Sequence, residues 1–211
     1  MTDHEGLTKH DHEGLTKQLF EVGAPFVEAQ LRHPTVRALE AGQLDDRLAR
    51  WWLEQDYLFL QEEIRFLTRL TWQAPRAHQD DLLRLAWNVV DQEIPHHREL
   101  SALFDADLDR AVMAPVTRSY TSWLKDAAAD YGTGLTALLS GLWGYSTLGQ
   151  RMTVPAEPRF NRWVATYQDP EFRVLAQRFA HMVEEADPEP HRALGAFLTG
   201  MAHEIAFWNA G

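Results

Sequence analysis

The sequence predicts an all-α protein, a compact bundle of roughly seven to nine long helices. Apolar residues recur at helical spacing in nearly every segment. No segment shows the sustained alternation between tight turns that is typical of a β-hairpin. Short connections containing Gly or Pro separate the segments. Helices with one apolar face bury that face best against one another, which favours a bundle around a common core.

Length and composition limit the class of protein. The chain has 211 residues, of which 45% are hydrophobic and 24% are charged, as expected for one globular domain. Its 20 Lys and Arg and 31 Asp and Glu give a net charge of −11, which argues against binding to nucleic acid or to anionic membrane surfaces. No Cys is present, which excludes disulfides, thiolate metal sites and a Cys nucleophile.

The N-terminal residues contain a short duplication, because DHEGLTK occurs at 3–9 and again at 11–17. The repeat is too polar to form a solenoid unit, and we expect residues 1–10 to be a loose tail before a single domain at 11–211. The start of the chain lacks the basic and apolar stretches of a secretory signal. No segment approaches the roughly 18 apolar residues of a membrane span. We therefore expect a cytoplasmic location.

Two long segments show the helical pattern most clearly. The first extends from Leu44 to about Trp72 without an internal Gly or Pro. In the second, Pro95 is expected to kink the helix, and a single stripe contains Leu82, Ala86, Val89, Glu93, His97 and Leu100. Asp or Thr before Pro often begins a helix. Later helices are therefore predicted to begin near Pro115, Thr133 and Pro158, at Pro170 with Asp169 as its cap, and at Pro188 to Pro190.

Carboxyl groups interrupt two apolar helix faces. Asp56 shares one face with two aromatic rings, and this face consists of Trp52, Asp56, Phe59 and Glu63. Glu204 lies in a second apolar stripe, which consists of Phe197, Met201, Glu204 and Trp208. An acid in such a place is costly unless it has a partner, and a helix boundary that turns Asp56 to the surface is the alternative. If both acids face one cavity, they suit acid–base chemistry or recognition of a heterocyclic N–H group.

A further polar pair interrupts the second long segment. Glu93 and His97 are one helical turn apart, and His96 lies beside them. This spacing fits either half of a metal site or a buried Glu–His hydrogen bond. A di-iron bundle needs a Glu-x-x-His element from each of two helices, whereas the chain has this spacing once, at Glu93 and His96, and lacks a second such element. The remaining histidines considered are expected on solvated faces: His78, His181, His191 and His203.

Three tyrosines, Tyr120, Tyr145 and Tyr167, lie in segments that otherwise resemble core. A buried Tyr hydroxyl needs a hydrogen-bond partner, and a backbone carbonyl is the simplest one. Gly141 and Gly144 lie in an apolar helix, where they leave room either for a pocket or for close helix packing. A flat ring held between tyrosine rings, with carboxylates at its edge, accounts for all of these features.

Seven motifs occur in the order and approximate spacing of the TenA/thiaminase II family. They extend from about His33 to Trp208 and read HPTVRALEAGQL, WWLEQDYLFL, QEIPHHREL, SYTSWL, ALLSGLWGY, RWVATYQDPEF and HEIAFW. Each motif is weak alone, but seven in order are specific, so the chain resembles this family over nearly the whole domain. The resemblance implies a haem-oxygenase-like fold. It also implies hydrolysis of the C–N bond of an aminopyrimidine related to thiamin, such as aminomethyl-pyrimidine or its N-formyl derivative, without a cofactor and in a homo-oligomer, tetramer or dimer.

The resemblance also assigns roles by position. Asp56 matches the Asp that binds the edge of the aminopyrimidine, and Glu204 matches the C-terminal Glu that acts as acid and base. The pocket tyrosines of the family correspond here to Tyr120, Tyr145 and Tyr167.

The chain departs from the family pattern at two positions. Gly141 stands where the thiaminase branch has its active-site Cys, and Phe59 stands where that branch has a pocket Tyr. Without a thiol, the covalent route through a pyrimidinyl-enzyme adduct is closed, so thiaminase activity is not expected. The chain resembles the Cys-less branch, in which carboxylates handle both the protons and the water.

Three other functions remain open. A non-haem di-iron oxygenase of the same fold would use as ligands Glu62 or Glu63, Glu93, His97 and His203. A cofactor-free oxidase similar to the pyrroloquinoline-quinone synthase branch needs a pocket rich in His and Arg, whereas these helix faces are aromatic and acidic. A protein that binds a pyrimidine without turning it over is consistent with the absent Cys.

Overall fold

The computed structural model describes residues 14–211, and within this range it contains ten α-helices and no β-strand. The helices are α1 (Leu15–Arg32), α2 (Pro34–Glu40), α3 (Asp46–Gln73), α4 (Arg76–Asn88), α5 (Ile94–Ala102), α6 (Pro115–Ala127), α7 (Tyr131–Arg151), α8 (Pro158–Tyr167), α9 (Pro170–Ala186) and α10 (Pro190–Asn209). The all-α prediction is confirmed. The predicted tail at residues 1–10 and the first DHEGLTK repeat lie outside the described residues.

Acidic caps followed by Pro begin several helices, as predicted. Helix α9 starts at Pro170 with Asp169 accepting a bond from the backbone N–H of Glu171, and α10 starts at Pro190 behind the cap Glu189. Proline suits the first helical position because its missing N–H would have no partner there. Helix α7 begins two residues before the predicted Thr133, because Asp130 accepts from the backbone N–H of Thr133 and caps the helix.

The second long segment is continuous but not uniformly α-helical. A five-residue π-helical turn, Val89–Glu93, joins α4 to α5, which begins with Ile94 and Pro95. The backbone N–H of Ile94 bonds the carbonyl of Val89, five residues earlier, which inserts one extra residue into the turn. The predicted irregularity is therefore present, and it takes the form of a π turn. Since α4 and α5 form one rod, the described chain has nine separate rods.

The buried residues form two apolar clusters. One is centred on α3, α4, α6, α7 and α9 and includes Phe66, Leu82, Leu135 and Phe179. The other joins α2, α8 and the ends of α3 and α10 and includes Trp52, Phe160, Trp163 and Trp208. Three helices pass through both clusters, α3, α7 and α10. The segments of these helices between the clusters are where the polar site residues lie.

Helices α7 and α10 pack in close contact at the centre of the bundle. A Cβ placed on Gly200 of α10 would lie 1.9 Å from Oγ of Ser140 on α7, so only glycine allows this approach. Across residues 14–211, no helix is both long enough and apolar enough to span a bilayer.

Candidate active site

The structure brings Asp56 of α3 and Glu204 of α10 to the same region, between the two apolar clusters. The Asp56 side chain is 27% exposed, whereas Glu204 is 4% exposed. Burial raises the pKa of Asp56 to about 7. Burial likewise raises the pKa of Glu204 to about 7, and the nearby Asp56 adds to this while hydroxyl donors from Tyr120 and Tyr145 oppose it. Both carboxyls can therefore exchange a proton near neutral pH.

Aromatic rings surround the two acids. The Tyr120 hydroxyl donates to Oε1 of Glu204 at 2.5 Å, and the Phe59 ring lies 4.9 Å from the Tyr120 ring. On another side, the rings of Tyr145 and Tyr167 are stacked at 5.1 Å with 22° between their planes. The hydroxyls of Tyr120 and Tyr145 thus face a carboxyl rather than a backbone carbonyl, the simplest partner expected from the sequence. The Tyr167 hydroxyl accepts from the indole N–H of Trp163.

Gly141 of α7 faces this region. A Cβ added there would lie 3.6 Å from Oε1 of Glu204 and 3.8 Å from the Tyr120 hydroxyl, which is ordinary contact distance. Gly144 faces Met201 of α10 instead, with 3.5 Å between a Cβ and the sulfur. Gly141 therefore lies beside Glu204 and Gly144 lies against Met201, and a Cβ would fit at either position.

The predicted contact between Glu93 and His97 is not formed. Glu93 accepts a bond from the side-chain amide of Asn88 at 2.8 Å. The His97 ring bonds the backbone carbonyl of Leu53 at 2.7 Å and places Nδ1 3.5 Å from Oδ2 of Asp56. Spacing along one helix could not reveal this arrangement, because the partners of His97 are on α3 and a π turn precedes it.

A third acid, Glu63, belongs to the same region; the sequence placed it on the Asp56 face and considered it only as an alternative ligand of a di-iron centre. It lies two turns after Asp56 on α3 and one turn after Phe59. Burial raises its pKa well above the usual range, and the negative charges of Glu93, Asp56 and Glu204 raise it further. Its position seven residues after Asp56, on the same face of the helix, was the feature of the sequence that could have placed it in this site.

Buried Gln55, next to Asp56, was also missed. Its amide nitrogen donates to the carbonyl of Val112, and its amide oxygen accepts from the backbone N–H of Ala114 and the hydroxyl of Thr117. These three bonds fix the start of α6 against α3, and α6 in turn carries Tyr120. The sequence could not show this role of Gln55, because its hydrogen-bond partners are almost 60 residues away in sequence.

Two of the histidines expected on solvated faces lie elsewhere. His78 is 3% exposed and contacts the Tyr131 hydroxyl at 2.8 Å and the Glu185 carboxylate at 2.9 Å, so it joins α4, α7 and α9. His203 is half-buried and stacks on Tyr120 with ring centres 4.9 Å apart. His181 and His191 are exposed, as predicted.

The ligand set considered for a di-iron centre is not assembled. Within residues 14–211, no three His, Asp or Glu side chains are grouped so that they could hold a metal ion. Glu93 bonds Asn88, His97 bonds a backbone carbonyl, and His203 stacks on Tyr120.

Comparison with known proteins identifies the family. The model of the TENA/THI-4/PQQC family matches residues 24–211. The chain belongs to the TENA/THI-4/PQQC family. Among its relatives in this family, the aminopyrimidine aminohydrolase of Halalkalibacterium halodurans is 25% identical over 207 residues, which are 90% of this chain and 92% of that protein. The aminopyrimidine aminohydrolase of Helicobacter pylori is 23% identical, with 85% and 89% covered.

Solved structures of TenA proteins share the architecture of this TENA/THI-4/PQQC chain. The TenA homologue from P. horikoshii OT3 superposes with a TM-score of 0.87 at 22% identity, over 92% of this chain and 96% of that one. The homologue from Pyrococcus furiosus gives a TM-score of 0.85 at 17% identity, over 92% and 98%. The predicted haem-oxygenase-like helical fold is thereby confirmed.

Proposed function

We propose that this protein hydrolyses the C–N bond of an aminopyrimidine related to thiamin, releasing the amine and a hydroxymethyl-pyrimidine. The observation that carries the proposal is the pairing of partly buried Asp56 with buried Glu204, each with a pKa of about 7, beside aromatic rings. Relatives along nearly the whole chain carry the name aminopyrimidine aminohydrolase, which supports the same substrate class.

In this proposal, Asp56 binds the edge of the pyrimidine. Its two oxygens accept hydrogen bonds from the exocyclic amine and the protonated ring nitrogen, and such bonds to a carboxylate are stronger than neutral ones. The rings of Phe59, Tyr120, Tyr145 and Tyr167 provide flat faces on which the heterocycle stacks. Glu63, Glu93 and Glu204 place further carboxyl groups around this site, and burial raises the pKa of each.

Glu204 then acts as acid and base. Its proton passes to the departing nitrogen, which keeps the electron pair of the broken C–N bond. Water supplies the oxygen of the new C–O bond, and one of its protons returns to Glu204, so the carboxyl ends in its starting state. The Tyr120 hydroxyl holds the reacting carboxyl in place. With Gly141 in the Cys position, no covalent intermediate on a thiol is formed.

An N-formyl derivative would be cleaved by the same groups. Glu204 would activate water against the formyl carbonyl, and a Tyr hydroxyl would donate to the oxyanion. Both routes use only side chains of this chain and water.

The deciding experiment compares aminomethyl-pyrimidine, its N-formyl derivative and thiamin under identical conditions. We expect turnover of at least one of the first two and no cleavage of thiamin. Binding of the ring without turnover of any compound would instead favour a protein that sequesters the pyrimidine.

A further inference from the structure

His97 lies directly behind Asp56 and has no part in the reaction proposed above. It is 6% exposed, with Nδ1 3.5 Å from Oδ2 of Asp56 and Nε2 2.7 Å from the carbonyl oxygen of Leu53. The preceding π turn and the packing of α5 against α3 hold the ring between these two partners. Its position next to the ligand-binding acid calls for a functional explanation.

The bond to Leu53 fixes which nitrogen of His97 can titrate. A carbonyl oxygen only accepts, so Nε2 carries a hydrogen in both charge states of the ring. The nitrogen that gains or loses a proton is therefore Nδ1, which points at Asp56. An ionised Asp56 and a neutral His97 would turn two acceptors towards each other, which favours a state in which the pair holds one proton.

In the free protein, the environment favours this proton on Asp56. Burial raises the pKa of Asp56 to about 7, whereas burial lowers the pKa of His97 despite the bond to Leu53. The other titratable side chains near this pair are mostly acidic or neutral. Those near Asp56 are Glu63, Glu93, Glu204 and Tyr167, and His96 is next to His97. Arg98, the next residue on α5, donates to the Tyr57 hydroxyl.

We infer that His97 is a positioning residue that takes the shared proton onto Nδ1 when a ligand donates N–H groups to Asp56. The O–H bond at Oδ2 breaks, an N–H bond forms at Nδ1, and no proton has to leave the protein. Asp56 then offers two acceptor oxygens to the ligand and has a donor behind it. This inference rests on the proposed function, because it requires a pyrimidine edge at Asp56.

The test measures binding of the hydroxymethyl-pyrimidine product by calorimetry, since the product binds without turnover. His97→Gln retains an amide donor for the Leu53 carbonyl but has no nitrogen that titrates. The proton of Asp56 must then go to solvent, so the ratio of the variant's Kd to that of wild type should rise about tenfold for each pH unit below about pH 7. Above about pH 8, where Asp56 is ionised without help, this ratio should become constant.

His97→Asn is the matched variant. Its amide can present a permanent N–H donor to Asp56, which mimics protonated His97 but gives up the bond to Leu53. We expect its Kd ratio to wild type to be nearly independent of pH even though its Tm is lower. A purely structural role for His97 predicts weaker binding with a pH-independent Kd ratio for both variants, so the pH dependence of His97→Gln separates the two explanations.

The outcomes separate the inference from the proposed function. A pH-independent Kd ratio for a folded His97→Gln variant overturns the inference alone, and failure of wild type to bind the product overturns both. If His97→Gln does not fold, nitrogen NMR of histidine-labelled wild type replaces it. Product binding should then protonate Nδ1 of His97 while Nε2 stays protonated, and an unchanged Nδ1 overturns the inference.

Discussion

Single residues set the chemistry of this site through where they are buried. Glu204 and Asp56 are ordinary carboxyls, and removal from water is the main cause that brings their pKa values to about 7. An exposed carboxyl would stay ionised near neutral pH and could not act as an acid. The Tyr120 hydroxyl compensates part of the cost of burial by donating to Glu204.

Replacing Glu204 by Gln tests its role as acid and base. The amide keeps the shape of the side chain and one acceptor for Tyr120, so the pyrimidine should still bind. Turnover should fall by a factor of about 10² to 10⁴, the usual contribution of a positioned proton-transfer group. Steady-state kinetics and product binding provide the two measurements, and wild-type turnover in this variant would remove Glu204 from the mechanism.

Gly141→Cys should place a thiol beside Glu204, the proposed acid and base. The new Cβ would lie at contact distance from Glu204 and Tyr120, so the helix can accept it. We expect the variant to react with iodoacetamide, which wild type without Cys resists, and to cleave thiamin slowly. Gly144→Cys is the control, because that position packs on Met201. If both variants reacted with iodoacetamide and cleaved thiamin at the same rates, the position of Gly141 beside Glu204 would have no special role.

At the scale of helices, the site depends on three rods that cross both apolar clusters. Each of α3, α7 and α10 carries a polar or glycine position between the clusters, namely Asp56, Gly141 and Glu204. Aromatic and aliphatic packing on both sides holds these rods in register. The separation of α7 and α10 is set by the contact of Gly200 with Ser140, one turn from Glu204 and next to Gly141.

Gly200→Ala should therefore destabilise the protein. The added methyl group would lie 1.9 Å from Oγ and 2.9 Å from Cβ of Ser140, so the two helices must move apart, at a cost of about 1–3 kcal/mol. Gly195→Ala, on the same helix with nothing within 4 Å of the new Cβ, should stabilise by about 0.5–1 kcal/mol. Urea unfolding of both variants measures the difference, and equal stabilities would refute the close contact.

At the scale of the whole molecule, the concentration of acids in one region makes stability depend on pH. The pKa of Glu63 is raised in the folded state, so the folded protein binds more protons than the unfolded chain above the usual pKa of Glu. Its contribution to stability is complete at low pH and is lost as the pH rises towards the folded-state pKa.

Glu63→Gln removes the part of this pH dependence that comes from Glu63. Near pH 5, wild type and variant should have similar Tm values, whereas near pH 8 the variant should be more stable because an amide needs no proton to be buried. In a chain of this size, each kcal/mol of unfolding free energy shifts Tm by about 2–4 °C. Glu62→Gln is the control, since Glu62 is 33% exposed and pairs with Arg65 on the surface. A Tm difference that does not change with pH would contradict the raised pKa.

The surface suggests where copies of the chain associate. Leu83, Trp87 and Val90 are exposed on one side of α4 and the π turn, and Trp72 at the end of α3 is 88% exposed. We expect a homo-oligomer that covers such residues. Sedimentation should show a tetramer or dimer at micromolar concentration, and Trp87→Glu should weaken it. A stable wild-type monomer would refute this prediction.

The sequence by itself determined the helical class, most helix starts and the identity of Asp56 and Glu204 as anomalies. These follow from local rules, namely helical periodicity, capping before Pro and the cost of an acid on an apolar face. Tertiary structure decided the partners, because a contact between helices depends on how they cross. The link of His97 to Asp56, the burial of His78 and the position of Gly141 beside Glu204 all join residues distant in sequence. No spacing along a single helix encodes such contacts, since packing of the whole bundle fixes them.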